Sequence, residues 1–314
     1  MVLRKSMRTP DVVVKKRPRL EDTIYTAKLF FKNRLAFVGF VITMIYFAIA
    51  VIDEVYPQWL GVSNLNSMAN WVPALSSNVP TAPTLSHGWM YIFGTTQFLV
   101  PIFPVMLAAL KFDIGYSLLI VTIGALFGLA VCTIAGYFGK IFDEILMRVT
   151  DIFFSVPFIV LAFAISYALG RSLNTVIIAL IIIWWPIYAR LTRGLALSTR
   201  SMKYVEAATA SGSSGMRNVV VHVIPNVLSP VFVQISLDLG SIVQIFATLY
   251  FLSVIQGSQL LPELGNMISR GQTYLPQGIW WPVVIPGIFL LIFTVSINLM
   301  GDGLRDVLDP KLRR

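Results

Sequence analysis

Six apolar runs constrain this chain more than anything else in it: residues 35–52, 114–138, 152–169, 173–189, 231–255 and 279–299. A helix rising about 1.5 Å per residue needs about 20 such residues to cross a hydrocarbon layer of about 30 Å. No water is available there to satisfy backbone N–H and C=O groups, so each run is expected to be a helix. The ten-residue alternation of a membrane barrel is absent. Composition agrees: 56% of the 314 residues are hydrophobic and 12% are charged, against about 25% charged in a soluble domain. The expected fold class is all-α, a polytopic membrane protein with six transmembrane helices.

Charge placement orients the bundle. Of the 24 Lys and Arg, ten precede Leu35 and none lies between Leu35 and Leu110. With the N-terminus inside, six spans put 139–149, 190–230 and 300–314 on the same side as the basic tail, leaving only Lys111, Arg171 and Arg270 outside. The positive-inside rule thus places both termini in the cytoplasm. Directly before a span, the tail reads as an orientation signal in contact with lipid headgroups, and no nucleic-acid partner is expected. The first run follows 34 residues and no small-residue cleavage site comes after it, unlike a cleavable leader. Cys132, the one cysteine, sits inside the second run and reads as a packing residue.

Five parts follow. Residues 1–34 form a basic tail, with 1–20 expected to be mobile and 21–34 a short interfacial helix. Residues 35–52 are the first span, and 53–113 form an outer segment rich in proline. Within it 98–110, containing Pro101 and Pro104, reads as an interfacial or re-entrant piece. Residues 114–299 are a five-helix core interrupted by a loop at 190–226, and 300–314 form a cytoplasmic tail. Gly124 and Gly128, a small-xxx-small pair, are expected to admit a close helix. Trp184, Trp185, Trp280 and Trp281 read as belt residues at span ends.

The chain has no phosphate-binding loop, no dinucleotide fingerprint and no nucleophile elbow. Its two histidines, His87 and His222, are expected on opposite membrane faces, so neither catalysis nor a metal site is anticipated. Any uphill transport must be powered by a partner or an ion gradient. Asp238 is the one acid well inside a span. It is either a pathway group, as an ion-gradient-driven secondary transporter would need, or a hydrogen-bonded anchor near Gln234 and Ser241.

The other power source is served by 204–225, YVEAATASGSSGMRNVVVHVIP. Tyr204 to Ser211 allow a compact helix. Gly212 can take the left-handed conformation that ends it, Ser213 or Ser214 can cap a second helix, and that apolar segment is expected to stop at Pro225. Two short helices on a tight turn would form a rigid knob carrying Glu206 as a fixed charge.

That stretch resembles the EAA loop of ABC-importer permeases, with Glu206, Ala207, Ala208, Gly212 and Pro225 at the family spacing, extended by Arg217, His222 and Asn226. The likeness to the second, C-type permease subunit of the dipeptide/oligopeptide/nickel family continues elsewhere. It covers AKLFFKNRLAFVG at 27–39, FDEILMRVTDIFFSVP at 142–157 (Asp143, Glu144, Met147, Arg148, Asp151, Pro157), and GDGLRDVLDPKLR at 301–313. One departure lies outside: FGTT at 93–96 stands where the family carries a GTD-x-x-GRD stretch, so Thr96 replaces an acid.

The resemblance implies a type I ABC-importer permease fold in the cell membrane of a bacterium or archaeon. It implies a homologous second permease, two ATP-binding subunits and an extracellular solute-binding protein as partners. No cofactor is expected in this chain, because ATP and magnesium would sit on the ATPases. Glu206, Ala207, Ala208, Gly212, Ser213 and Pro225 are the expected coupling residues. Arg148, Asp151, Asp302, Arg305 and Asp306 are expected to organise the cytoplasmic end. The family's solutes are di- and oligopeptides or nickel, with oligosaccharides in related importers.

Overall fold

The computed structural model describes residues 28–56, 79–86, 88–96, 100–255 and 262–308. The expectations for the mobile tail, for most of the outer segment and for 309–313 fall outside these residues. The described chain is helical, and its one β contact is an isolated bridge between Thr95 and Pro101. Helix α1 is Arg34–Val55 and α2 is Ile102–Phe138. Then come α3, Lys140–Ser155, and α4, Phe158–Leu169. After α5, Leu173–Arg200, come the short α6, Lys203–Ala210, and the long α7, Gly215–Phe251. Helix α8, Leu264–Gly271, precedes α9, Trp281–Leu308.

Five of these helices (α1, α2, α5, α7 and α9) are long and apolar enough to cross a membrane, and the pair α3–α4 makes a sixth crossing if taken together. Their outward faces carry bare apolar side chains, among them Leu35, Ile45, Leu126, Ile178, Phe232 and Leu291. Rows of this kind on every long helix suit a lipid surround. This is an all-α polytopic membrane protein.

Two expected boundaries are corrected by where the prolines fall. Residues 102–110 are not a separate interfacial piece but the first turns of α2, which at 37 residues is about 55 Å long. Pro101 is its N-cap residue and Pro104 sits in the first turn, where the N–H that proline lacks would be unpaired anyway. Conversely, 152–169 is not one straight span. Pro157 forces Val156 into an extended conformation (φ −108°, ψ 135°), as the residue before a proline prefers, and α3 meets α4 at 94°.

The bundle closes through small residues. A Cβ on Gly128 would lie 2.5 Å from Tyr188 Cβ, and one on Gly136 would lie 3.1 Å from Arg193 Cα, so α2 seats directly on the backbone of α5. A Cβ on Gly303 would lie 2.2 Å from Ala36 Cβ, which brings the end of α9 against the start of α1. Higher up the same pair, Tyr46 Oη donates to the Phe289 carbonyl (3.0 Å). The core between these contacts is filled by Leu110, Ile120, Tyr188, Ile242, Phe246 and Phe293, all nearly inaccessible.

At the end away from α6, Glu263 caps α8: its Oε2 accepts from the Asn266 amide (2.6 Å). Its Oε1 has no partner among the described residues. Asp113 of α2 is also buried and accepts from the Leu264 amide (3.4 Å). Burial pushes the Glu263 carboxyl from its ordinary 4.5 up to about 7, against the opposing hydrogen bonds from the Asn266 and Gly265 amides. A folded pKa above the unfolded one means that the fold favours the protonated acid. Its contribution is full below about pH 4.5 and is lost as pH rises through about 7. Glu263→Gln is expected to flatten the fall in melting temperature of the detergent-solubilised protein across this window; a slope equal to that of the wild type contradicts the assignment.

Candidate functional site

Helix α5 runs on past the bundle to Arg200, and the chain then folds back as a helical hairpin. Helix α6 is fastened at its base by Val205, 1% exposed, while Glu206 and Ala207 are exposed and Ala208 is half-buried. The turn is a Schellman closure: the Gly212 amide donates to the Thr209 carbonyl and the Ser213 amide to the Ala208 carbonyl, both at 3.0 Å. Gly212 takes φ +88°, which side chains with a Cβ resist. Ser214, rather than Ser213, caps the next helix by accepting from the Arg217 amide (3.4 Å).

That next helix departs from expectation, because it does not stop at Pro225. A π-helical segment, Val219–Val223, precedes the proline, and the helix continues through it to Phe251. Prolines and one-turn π segments are both places where a helix bends without ending. Asn226 Nδ2 donates to the His222 carbonyl (2.6 Å). The hairpin is therefore one short helix folded against the first turns of a spanning helix, not two free-standing short ones.

Side chains lock the two arms. Asn226 Nδ2 also reaches Tyr204 Oη (3.0 Å), and the Tyr204 ring meets His222 edge to face at 5.9 Å. At the other end Asn218, fully buried, donates through Nδ2 to Thr209 Oγ1 (2.9 Å) and to Tyr137 Oη (3.2 Å). Tyr137 belongs to α2, and Arg200 Nη1 donates to its carbonyl (2.8 Å). A groove of about 700 Å³ between α6 and the α2–α5 pair is lined by Phe138, Leu197, Arg200, Val205 and Glu206, among others. The exposed rim holds Met202, Tyr204, Met216 and Val220. A rigid body with an apolar rim and a fixed acid can dock onto a protein and transmit force.

Sequence reasoning did not single out Asn218 or Tyr137. Asn218 stands between Arg217 and the apolar Val219–Val221 with no local mark of its role, and nothing local marks Tyr137.

The other expected residues are placed as follows. Arg148 pairs with Glu144 across one turn (3.7 Å) on the exposed face of α3. Asp151 accepts from Arg190 Nη2 (2.8 Å). Asp302, Arg305 and Asp306 are exposed, and it is their neighbours Gly301, Gly303 and Val307 that are buried. Asp238, 5% exposed, accepts from Trp184 Nε1 (3.0 Å) on α5 and from Gln234 Nε2 (2.8 Å) on its own helix. Ser241 turns instead to the Leu237 carbonyl. Trp184 is not a belt residue at a span end: it lies in the middle of α5, 4% exposed, as the partner of this acid.

A helical bundle with bare apolar flanks and a stiff hairpin at one end defines a polytopic membrane protein with a rigid projection. Residues 124–314 match the family described as binding-protein-dependent transport system inner membrane component. The chain is 34% identical over 283 residues to the dipeptide transport system permease protein DppC of Alkalihalophilus pseudofirmus, covering 90% of this chain and 88% of the relative. It is 35% identical to the probable D,D-dipeptide transport system permease protein DdpC of Escherichia coli K12, covering 82% of each. With DppC of Haemophilus influenzae the identity is 30%, over 98% of this chain and 99% of the relative. The chain belongs to the family of binding-protein-dependent transport system inner membrane components.

If Asn218 holds the hairpin, its removal loosens α6 without unfolding the bundle. Asn218→Ala removes two hydrogen bonds at about 1 kcal/mol each, so exchange of the α6 amides should quicken about tenfold or more in hydrogen-exchange mass spectrometry. Unchanged exchange in 203–211 contradicts the role.

Proposed function

We propose that this chain is one of the two permease subunits of an ATP-driven importer of di- or oligopeptides. It pairs with a homologous second permease and with two ATP-binding subunits, and a solute-binding protein delivers cargo to the opposite face. The basic ends lie in the cytoplasm. The observation that carries this reading is the hairpin 201–226: pinned to α2 and α7 and exposed at its rim, it is built to move as one piece. Membrane permeases of this class need such a piece, because the energy is released on another subunit. The solute class rests on the names of the relatives, which are dipeptide permeases.

In this reading Glu206, Ala207 and Ala208 face the ATPase, Gly212 and Ser213 hold the turn, and Pro225 with its π segment lets the hairpin's second arm run on into a span. ATP and magnesium stay on the partner subunits, and this chain performs no catalysis. Arg148, Asp151, Asp302, Arg305 and Asp306 shape the cytoplasmic end rather than touch solute. The rival reading, an ion-gradient-driven secondary transporter using Asp238, is disfavoured because each oxygen of that carboxylate already holds a donor.

Reconstitution of the four-subunit complex with its binding protein in proteoliposomes tests the reading. Labelled dipeptide uptake should require ATP and be indifferent to a collapsed ion gradient; gradient-driven uptake without ATP overturns it. Gly212→Val, which places a β-branched residue at φ +88°, should cost the turn about 1–2 kcal/mol. Glu206→Lys reverses the fixed charge. Each variant should insert and assemble normally yet lose most of its uptake, and wild-type uptake in both removes the hairpin from the mechanism.

A further inference from the structure

Helix α3 is held to the bundle in an unusual way. It supplies none of the buried residues of the hydrophobic core. Its own buried residues, Asp143 and Thr150, are both polar, while Ile141, Phe142, Ile145 and Ile152 are exposed. Between α3 and α5 lies an open groove of about 1000 Å³. Among the described residues, the Phe153–Trp185 rings meet at 5.8 Å, and two ion pairs cross between the helices. Arg193 donates through Nε (2.6 Å) and Nη2 (2.8 Å) to the two oxygens of Asp143. Three residues earlier, Arg190 donates to Asp151 (2.8 Å) and lays its guanidinium over the Phe154 ring at 4.0 Å.

We propose that Arg190 and Arg193 of α5, with Asp151 and Asp143 of α3, form a two-point linkage that passes displacement of the hairpin to the broken α3–α4 crossing. The inference rests on the reading of 201–226 as the element that an ATPase moves. Arginines three apart share one face of α5, and the aspartates eight apart share one face of α3, so the two pairs lie side by side along the groove. Helix α5 continues unbroken from Arg193 to Arg200 and leads straight into α6, so a push on the hairpin reaches both guanidinium groups. Just beyond Asp151 the helix ends at the Val156–Pro157 break, where the chain turns through 94°, so motion passed to α3 arrives beside a hinge. A bidentate guanidinium–carboxylate pair holds orientation as well as distance, which is what a linkage requires. These are positioning residues; none touches solute or nucleotide.

Charge exchange separates a linkage from a staple. In proteoliposomes holding the complete complex, Arg193→Asp and Asp143→Arg should each assemble and hydrolyse ATP, while delivering about tenfold less dipeptide per ATP. The double exchange should restore most of that ratio. Arg193→Lys keeps charge but loses the fork, and should fall between wild type and the single exchanges. If the partly buried pair does not tolerate exchange, Arg190→Asp, Asp151→Arg and their double decide the question. Those side chains are 51% and 55% exposed. Single exchanges with the wild-type ratio, or a double no better than its parents, overturn the linkage. A wild-type complex that fails to couple ATP to uptake would instead count against the parent reading, so the two failures are distinguishable.

Discussion

Everything at the α6 end of this molecule is referenced to the seat of α5 on α2. Gly128 and Gly136 let Tyr188 and the backbone of Arg193 approach to contact distance, and Thr192 places its hydroxyl 2.8 Å from the Gly128 carbonyl in the π segment of α2. Without water to compete, such close backbone packing and buried polar contacts are what hold membrane helices together. The seat sets the height of Arg190 and Arg193 above the groove. It also brings Tyr137, at the end of α2, to the level of Arg200 and Asn218. The hairpin is thus built on a fixed platform, while α3 hangs from the same platform by charge.

Stiffness and freedom are distributed unequally around that platform. The hairpin has a closed Schellman turn, two side-chain hydrogen bonds between its arms and one from Asn218 to α2, so little of a push would be lost in bending. Helix α3 has exposed apolar flanks, polar anchors and a proline break at one end. Local stability follows buried apolar contact, and by that measure α3 is the element most ready to move. Asp238, by contrast, is enclosed by Trp184 and Gln234 at the centre of the bundle, where it ties α7 to α5.

Much of this was legible in the chain itself. Apolar run length marked the spans, and Gly212 followed by serines marked the hairpin turn, because backbone conformation at a glycine and a cap is a local matter. Prolines were harder. Pro101 and Pro104 look like breaks but open α2, whereas Pro157 breaks a run that looked continuous. Position within the helix, which sequence alone does not reveal, decides whether the missing N–H matters. The reach of Arg193 to Asp143, fifty residues away, and of Asn218 to Tyr137 depends on helix packing and had no local signature. The same holds for the close contacts of the C-terminal motif. Asp302, Arg305 and Asp306 face outward, and Gly301 and Gly303, next to them, make the contacts with α7 and α1.

In the proposed complex the exposed face of α6 docks on an ATP-binding subunit. A photo-reactive amino acid placed at position 207, beside Glu206, in the chain expressed in its native membrane tests this directly. Irradiation should yield an adduct with a nucleotide-binding protein, identified by mass spectrometry, that weakens when Gly212 is replaced by Val. Adducts only with lipid, or only with a second copy of this chain, would contradict it.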